Sequence, residues 1–335
     1  MIKDTLGDKL KEYEGAETSR KAMIGLPLLA RLDGRSFHTF TKKFPRPYFP
    51  TMSKWMQELT AFLVDDTNAC IGYTQSDEIS LVWNLTSESS QFLFGGRFQK
   101  LTSVLAGLAS AKFNQLVLKD SPSMAHMLPC FDCRVWQVPD LDTAADVFKW
   151  RELDATKNSI TMAASTEYSH KELHCKTGKE KIEMLWQKGI DWNAYPTFFK
   201  RGTYFRRELF SVYLSEDELA KIPSKHRPDG PVMRHRVVEV EMPPVTRIEN
   251  FVDVIFKSAA PYNSKVVHDK IKGVPIHQGV DEQIVTLEYQ DSCDVVNAVE
   301  SIAEALTKFG IKLELLEGGD GYEEVKITTM EAEVE

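Results

Sequence analysis

The order of hydrophobic periodicities in the first 140 residues limits the possible folds more than any other feature. Leu26-Pro-Leu-Leu-Ala-Arg-Leu32 is a short apolar run that ends at Asp33-Gly34 and reads as a strand. Met52, Trp55, Met56, Leu59, Phe62 and Leu63 then recur at helical spacing on one face. Two strand patterns follow near 69–75 and 79–84, around the stretch Gly72-Tyr-Thr-Gln-Ser-Asp-Glu-Ile-Ser80. A helical region over 89–119 carries no acidic residue, and a strand around 133–138 closes the series. Strand, helix, strand, strand, helix, strand is the split βαββαβ, ferredoxin-like arrangement of an α+β fold. In that arrangement the first strand and the hairpin are neighbours. Asp33 and Asp77-Glu78, distant in sequence, are therefore expected to meet at one sheet edge.

The remaining chain reads as additions to this core. Residues 1–22 suggest a polar helix and linker, and further helices are expected over 141–163 and 178–188. A strand is expected near 199–205 and another over Val237–Met242, before Pro243-Pro244. Beyond 270 come a strand at 283–289, a helix carrying Val295, Val299, Ile302, Leu306 and Phe309, and strands at 311–316 and 322–328. They suggest a small βαββ appendage with an acidic tail. The expected divisions are 1–165, 166–265 and 270–335. A net charge of −8 gives no general basic field, so a nucleic-acid partner would need local basic patches. The apolar runs fall short of the ~18–20 residues that span a bilayer. Five cysteines and an acidic N-terminus argue for a reducing, cytoplasmic setting without a disulfide framework. Cys130-x-x-Cys133 with His170, His174 and Cys175 has the composition of a zinc site, but a strand through Cys133 points the two cysteines to opposite faces.

Clustered carboxylates repel one another, and a divalent cation relieves that repulsion. Asp33, Asp77 and Glu78 fit an oxygen-ligated Mg²⁺ site, and two such ions suit phosphoryl or nucleotidyl transfer. A solvated acidic turn is the plainer account of the same spacing. Gly34 lets backbone approach a phosphate, and Arg97, Lys100 and Arg134 would supply cations for a triphosphate if their elements face the same edge.

RLDGRSFHTFTKKF, GYTQSDEISLVW, FGGRFQKLTSVLAG, PCFDCRVWQVP, WRELDATKNSI and FFKRGTYF, in this order, resemble the tRNA-His guanylyltransferase family and its tRNA-repair relatives over roughly residues 5–260. The resemblance implies a polymerase/cyclase-like palm over 1–165, with tRNA and nucleotide contacts in 166–265. It implies two Mg²⁺ ions held by Asp33, the Gly34 carbonyl and Asp77, with Glu78 in support. It assigns Arg31, Arg97, Lys100 and Arg134 to triphosphate, and Arg35, Ser36, Phe37, His38 and Ser76 to the nucleotide site. Asn158, Lys200 and Arg201 fall to RNA. The implied activity is 3′-to-5′ addition to tRNA 5′ ends, with ATP activating the 5′-phosphate and GTP extending it, in a dimer or tetramer. Where eukaryotic members carry HINNLYN, this chain reads Thr156-Lys-Asn-Ser-Ile-Thr-Met162, which resembles the bacterial and archaeal-type repair branch. Competing readings are a nucleotidyl cyclase-like enzyme and an inactive RNA-binding palm. The presence of all three carboxylates speaks against the second.

Overall fold

The computed structural model describes residues 5–85, 91–228, 230–262, 282–288, 311–319 and 322–329. They fall into two compact units: Met1–Thr246 with Ile255–Ser258, and Arg247–Val254 with Ala259–Glu335.

In the first unit, helix α1 (Thr5–Thr18) precedes strand β1 (Leu28–Gly34). Then come α2 (Pro50–Thr67), β2 (Ile71–Gln75), β3 (Glu78–Trp83), α3 (Phe98–Asp120) and β4 (Phe131–Gln137). Helices α4 (Leu141–Glu167) and α5 (Gly178–Gln187) follow, then strands β5 (Thr203–Val212) and β6 (Val232–Val240). One sheet runs in the order β4-β1-β3-β2-β5-β6. Every neighbouring pair in it is antiparallel. Its first four strands have the connectivity expected from the sequence, and β5 and β6 extend the sheet beyond β2.

Strand alternation divides the sheet into two faces. Leu28, Ala30, Leu32, Ile79, Leu81 and Cys133 pack under α2 and α3 with Trp55, Leu59, Leu63, Leu105 and Phe113. Helix α3 is long and apolar enough by composition to cross a membrane. Its Leu101, Leu105, Ala109 and Phe113 are instead buried in this core. Arg31, Asp33, Glu78 and Arg134 fall on the opposite face, which α4 crosses: its Arg151 bonds to Glu78 and its Glu152 accepts from Tyr204.

Several boundaries differ from the periodicities. Helix α3 begins only at Phe98, after a turn (Leu93–Gly96) in which Phe94 and Gly95 adopt positive φ. The strand expected near 199–205 is a short helix, Thr197–Arg201, followed by β5. Gly202 separates them at φ +79, where a Cβ would lie 2.5 Å from the Thr74 carbonyl oxygen. Strand β6 begins at Val232 rather than Val237 because its first half pairs with the outer half of β5, where alternation is hidden by mostly exposed side chains on β6. In the second unit, β7 (Glu282–Glu288), β8 (Ile311–Gly319) and β9 (Tyr322–Thr329) form an antiparallel sheet in the order β7-β9-β8. The appendage helix expected around 295–309 and the acidic tail lie outside the described residues.

Gly202→Ala forces a side chain into both a left-handed backbone and the β2 main chain, so it should lower folding stability by about 2 kcal/mol or more. A urea-denaturation midpoint equal to that of the native protein would refute this account of the turn.

Candidate active site

Strand β1 lies between β3 and β4, and the register sets Asp33 opposite Glu78 on one side and Asp132 on the other. Beyond Asp33 the chain is held at both sides. The Gly34 N–H donates to the Asp77 carbonyl at 3.1 Å, and the Arg35 N–H to the Cys130 carbonyl at 2.9 Å. Gly34 cannot carry a side chain here, since its Cβ would fall 2.4 Å from the Phe37 ring. Asp77 therefore sits beside Asp33 through main-chain bonding, independent of any attraction between the side chains.

The carboxylates are balanced in different ways. Glu78, about a tenth exposed, accepts from Arg151 Nε at 2.6 Å and Nη2 at 2.8 Å, with Arg31 Nε at 3.8 Å. Burial raises its pKa, and these guanidiniums oppose the rise. Asp77 is also pushed up by burial; the Ser76 hydroxyl, which donates to Oδ1 at 2.9 Å, pulls it down, and the charge of Asp33 raises it. No side-chain cation enters the Asp77 balance among the described residues. Asp132 is exposed, with Arg134 at 3.7 Å as its ion-pair partner among the described residues. The charge of Asp33 works against ionisation of Asp77, so the two present oxygen donors whose repulsion a hard cation would relieve. Their chemistry fits Mg²⁺, which retains water and takes few protein ligands. Among the described residues no three His, Cys, Asp or Glu side chains form a metal-holding group. A carboxylate pair would thus have to be completed by main-chain oxygen, water or phosphate. The same finding leaves the cysteine–histidine combination without a zinc site among those residues.

The expected cations divide. Arg31 and Arg134 are register partners on the carboxylate face of the sheet, and the Arg31 guanidinium stands 5.6 Å from the Trp150 ring centre. Arg35, Ser36 and His38 are exposed in the turn after β1, with Ser36 at φ 57, and Ser76 is exposed beside Asp77. Phe37 is buried among Phe40, Phe113 and Phe131, so its ring shapes the turn from beneath. The structure does not bring Arg97 and Lys100 to the carboxylates. Arg97 bridges to Lys21, and the adjoining Met23 bonds to Gln137, at the Leu28 end of β1. It is Ser110, about 20 Å further along α3, that bonds to Phe131 opposite Gly34. Lys200 donates to the Asn193 carbonyl, and burial lowers its pKa. Arg201 is tied to Glu152 at 3.5 Å and to the Met242 carbonyl at 3.0 Å. Asn158 is exposed on α4 and donates to Asp154 at 3.0 Å.

Residue-by-residue reading of the sequence missed Arg151, Asp154 and Asp132. Arg151, Asp154 and Asn158 lie at i, i+3 and i+7 on α4, a spacing that marks one helical face. That signal is the same as for an ordinary solvated face.

A family model described as tRNAHis guanylyltransferase matches residues 7–139. The tRNA(His) guanylyltransferase of Schizosaccharomyces pombe is 29% identical over 219 residues, which cover 59% of this chain and 79% of the relative. That of Saccharomyces cerevisiae is 28% identical over 199 residues, covering 54% and 82%. Among solved structures, a bacterial tRNA(His) guanylyltransferase (Thg1)-like protein in complex with ATP aligns at TM-score 0.63 and 31% identity, over 75% of this chain and 99% of that one. A bacterial Thg1-like protein in complex with GTP aligns at TM-score 0.57 and 29% identity, over 74% and 99%.

A raised carboxylate pKa means that the folded state binds the proton more tightly than the unfolded chain does. The resulting destabilisation is complete above the folded-state pKa and disappears as pH falls below the unfolded value. Asp77→Asn should therefore raise Tm at neutral pH without divalent ions, with the gain fading as pH falls through the carboxylate range. Mg²⁺ should raise the Tm of the native protein and leave Asp77→Asn unmoved. Equal melting temperatures of the two proteins at neutral pH would contradict this charge balance.

Proposed function

The chain belongs to the tRNA-His guanylyltransferase family of nucleotidyltransferases, and from that premise we propose that it adds nucleotides to tRNA 5′ ends in the 3′-to-5′ direction on a palm-like sheet. The observation that carries the reading is the Asp33–Asp77 pair, fixed by the Gly34–Asp77 main-chain bond and left without a side-chain cation for Asp77 among the described residues. Asp33, the Gly34 carbonyl and Asp77 are the groups that would hold Mg²⁺. When bound, Mg²⁺ supplies charge neutralisation for phosphate oxygens and orientation of the attacking oxygen.

The chain's own residues do the rest. Arg31 and Arg134, side by side on β1 and β4, offer guanidiniums to a triphosphate lying across the carboxylate face. Arg35, Ser36, His38 and Ser76 surround the exposed turn where the nucleotide would enter. Glu78 is saturated by Arg151 and supports the site without donating to it. Arg97 and Lys100 fall outside this reading of the site, and Lys200 and Arg201 enter it as internal ties. In the first step a 5′-phosphate oxygen of the RNA attacks the α-phosphorus of ATP, and the bond to pyrophosphate breaks. In the second the 3′-hydroxyl of GTP, losing its proton, attacks the activated 5′-phosphorus and AMP leaves. Both are in-line displacements, which depend on positioning and charge rather than on a covalent nucleophile. The Thr156–Met162 segment in place of HINNLYN favours repair of 5′-truncated tRNAs over strict tRNA-His maturation.

Asp77→Ala should reduce 5′-end labelling of a phosphorylated tRNA at least ~100-fold while the protein stays folded. Undiminished labelling would refute the carboxylate assignment. Assayed side by side, tRNAs lacking their first nucleotide should be extended faster than full-length tRNA-His. The reverse preference would return the chain to tRNA-His maturation.

A further inference from the structure

Outside the carboxylate pair, one line of polar contacts joins the site to the surface. Arg151 grips both oxygens of Glu78, and its Nη2 also donates to Asp154 Oδ2 at 3.3 Å. The same Asp154 oxygen accepts from the exposed Asn158 amide at 3.0 Å. Arg151 and Glu78 side chains are each 9% exposed and Asp154 is 34% exposed, so the line passes from solvent to interior within two turns of α4. Trp150 covers it, with the Arg151 guanidinium 4.6 Å and the Arg31 guanidinium 5.6 Å from the ring centre.

We propose that Arg151 and Asp154 are positioning residues, through which the state of Asn158 on the outer face of α4 sets the placement of Glu78 beside the nucleotidyl-transfer site. The inference rests on the function proposed above, with RNA lying along α4. RNA that donates to the Asn158 amide oxygen leaves the Nδ2 donor fixed on Asp154. Asp154, so anchored, holds Arg151 in the fork that places Glu78. Glu78 is one residue from Asp77, opposite Asp33 and electrostatically coupled to it. A small displacement of its carboxylate therefore changes the field at the carboxylate pair, while the main chain holds that pair in place. The guanidinium is needed for its fork: it binds two carboxylate oxygens and still reaches Asp154, which a lysine ammonium cannot do in the same geometry.

The test measures kcat, and KM for ATP and for a 5′-phosphorylated RNA, with folding of each variant checked by thermal denaturation. Arg151→Lys should lower kcat ~10-fold or more with KM for ATP within about twofold. In Arg151→Ala, low-millimolar guanidinium should restore part of the lost kcat, and sodium at equal ionic strength should not. Asp154→Asn and Asn158→Ala should each lower kcat, and Asn158→Ala should add nothing in the Asp154→Asn background. Native kcat in Arg151→Lys would overturn the proposal. So would independent, multiplying effects of the two α4 substitutions, or an Asn158→Ala effect confined to KM for RNA. Each of these outcomes leaves the nucleotidyltransferase reading standing. A native protein that adds no nucleotide overturns that reading and this one with it.

Discussion

The register of β1 between β3 and β4 is the constraint on which the other features depend. Hydrogen bonded on both sides, this strand sets Leu28, Ala30 and Leu32 under the helices and turns Arg31 and Asp33 to the other face. A slip of one residue would exchange the two sets, burying an arginine and an aspartate under α2 and α3. The apolar core therefore specifies the site: the same alternation that buries Leu32 sets Asp33 opposite Glu78 and Asp132. Gly34 completes the constraint, because the Phe37 ring occupies the space a side chain would need, and its N–H locks the hairpin turn to the strand end.

On this frame the charges separate into two kinds. Glu78 with Arg151, and Glu152 with Arg201 and Tyr204, are buried carboxylates whose hydrogen bonds are met within the fold. They join α4 to the sheet at β3 and β5. Removing one partner of such a pair typically costs about 3–5 kcal/mol, because the other charge stays buried without compensation. Asp33 and Asp77 form the other kind. They are held together by main chain while the charge of Asp33 works against that of Asp77, and the proposed metal role rests on this difference from the structural pairs.

The legible parts of the sequence were the local ones. Alternation in β1 and the hairpin, and the helical spacing of Trp55, Leu59 and Leu63, gave the core of the fold, and strand-end positions gave the meeting of Asp33 with Asp77-Glu78 at one sheet edge. Arg97 and Lys100 show what periodicity omits: it places two residues on one face of a helix without saying which end of that helix reaches the site. Lys200 and Arg201 read as part of a strand because periodicity does not reveal the short helix before Gly202 or the Asn193 acceptor of Lys200. The Glu152 and Met242 acceptors of Arg201 come from distant chain. Arg151 was hidden for a related reason. A charged residue on a polar helix reads as solvated until the sheet brings Glu78 beneath it.

A repelling carboxylate pair costs the fold stability, so it persists only where the surrounding structure over-determines the geometry. Here the over-determination can be named: paired strands on both sides of β1, a glycine packed on Phe37, and two main-chain bonds beyond Asp33. A solvated acidic turn would need none of them, since exposed acids separate freely. The investment of a central strand and a sterically obligatory glycine in keeping Asp33 and Asp77 adjacent is the ground on which the proposed cation site rests.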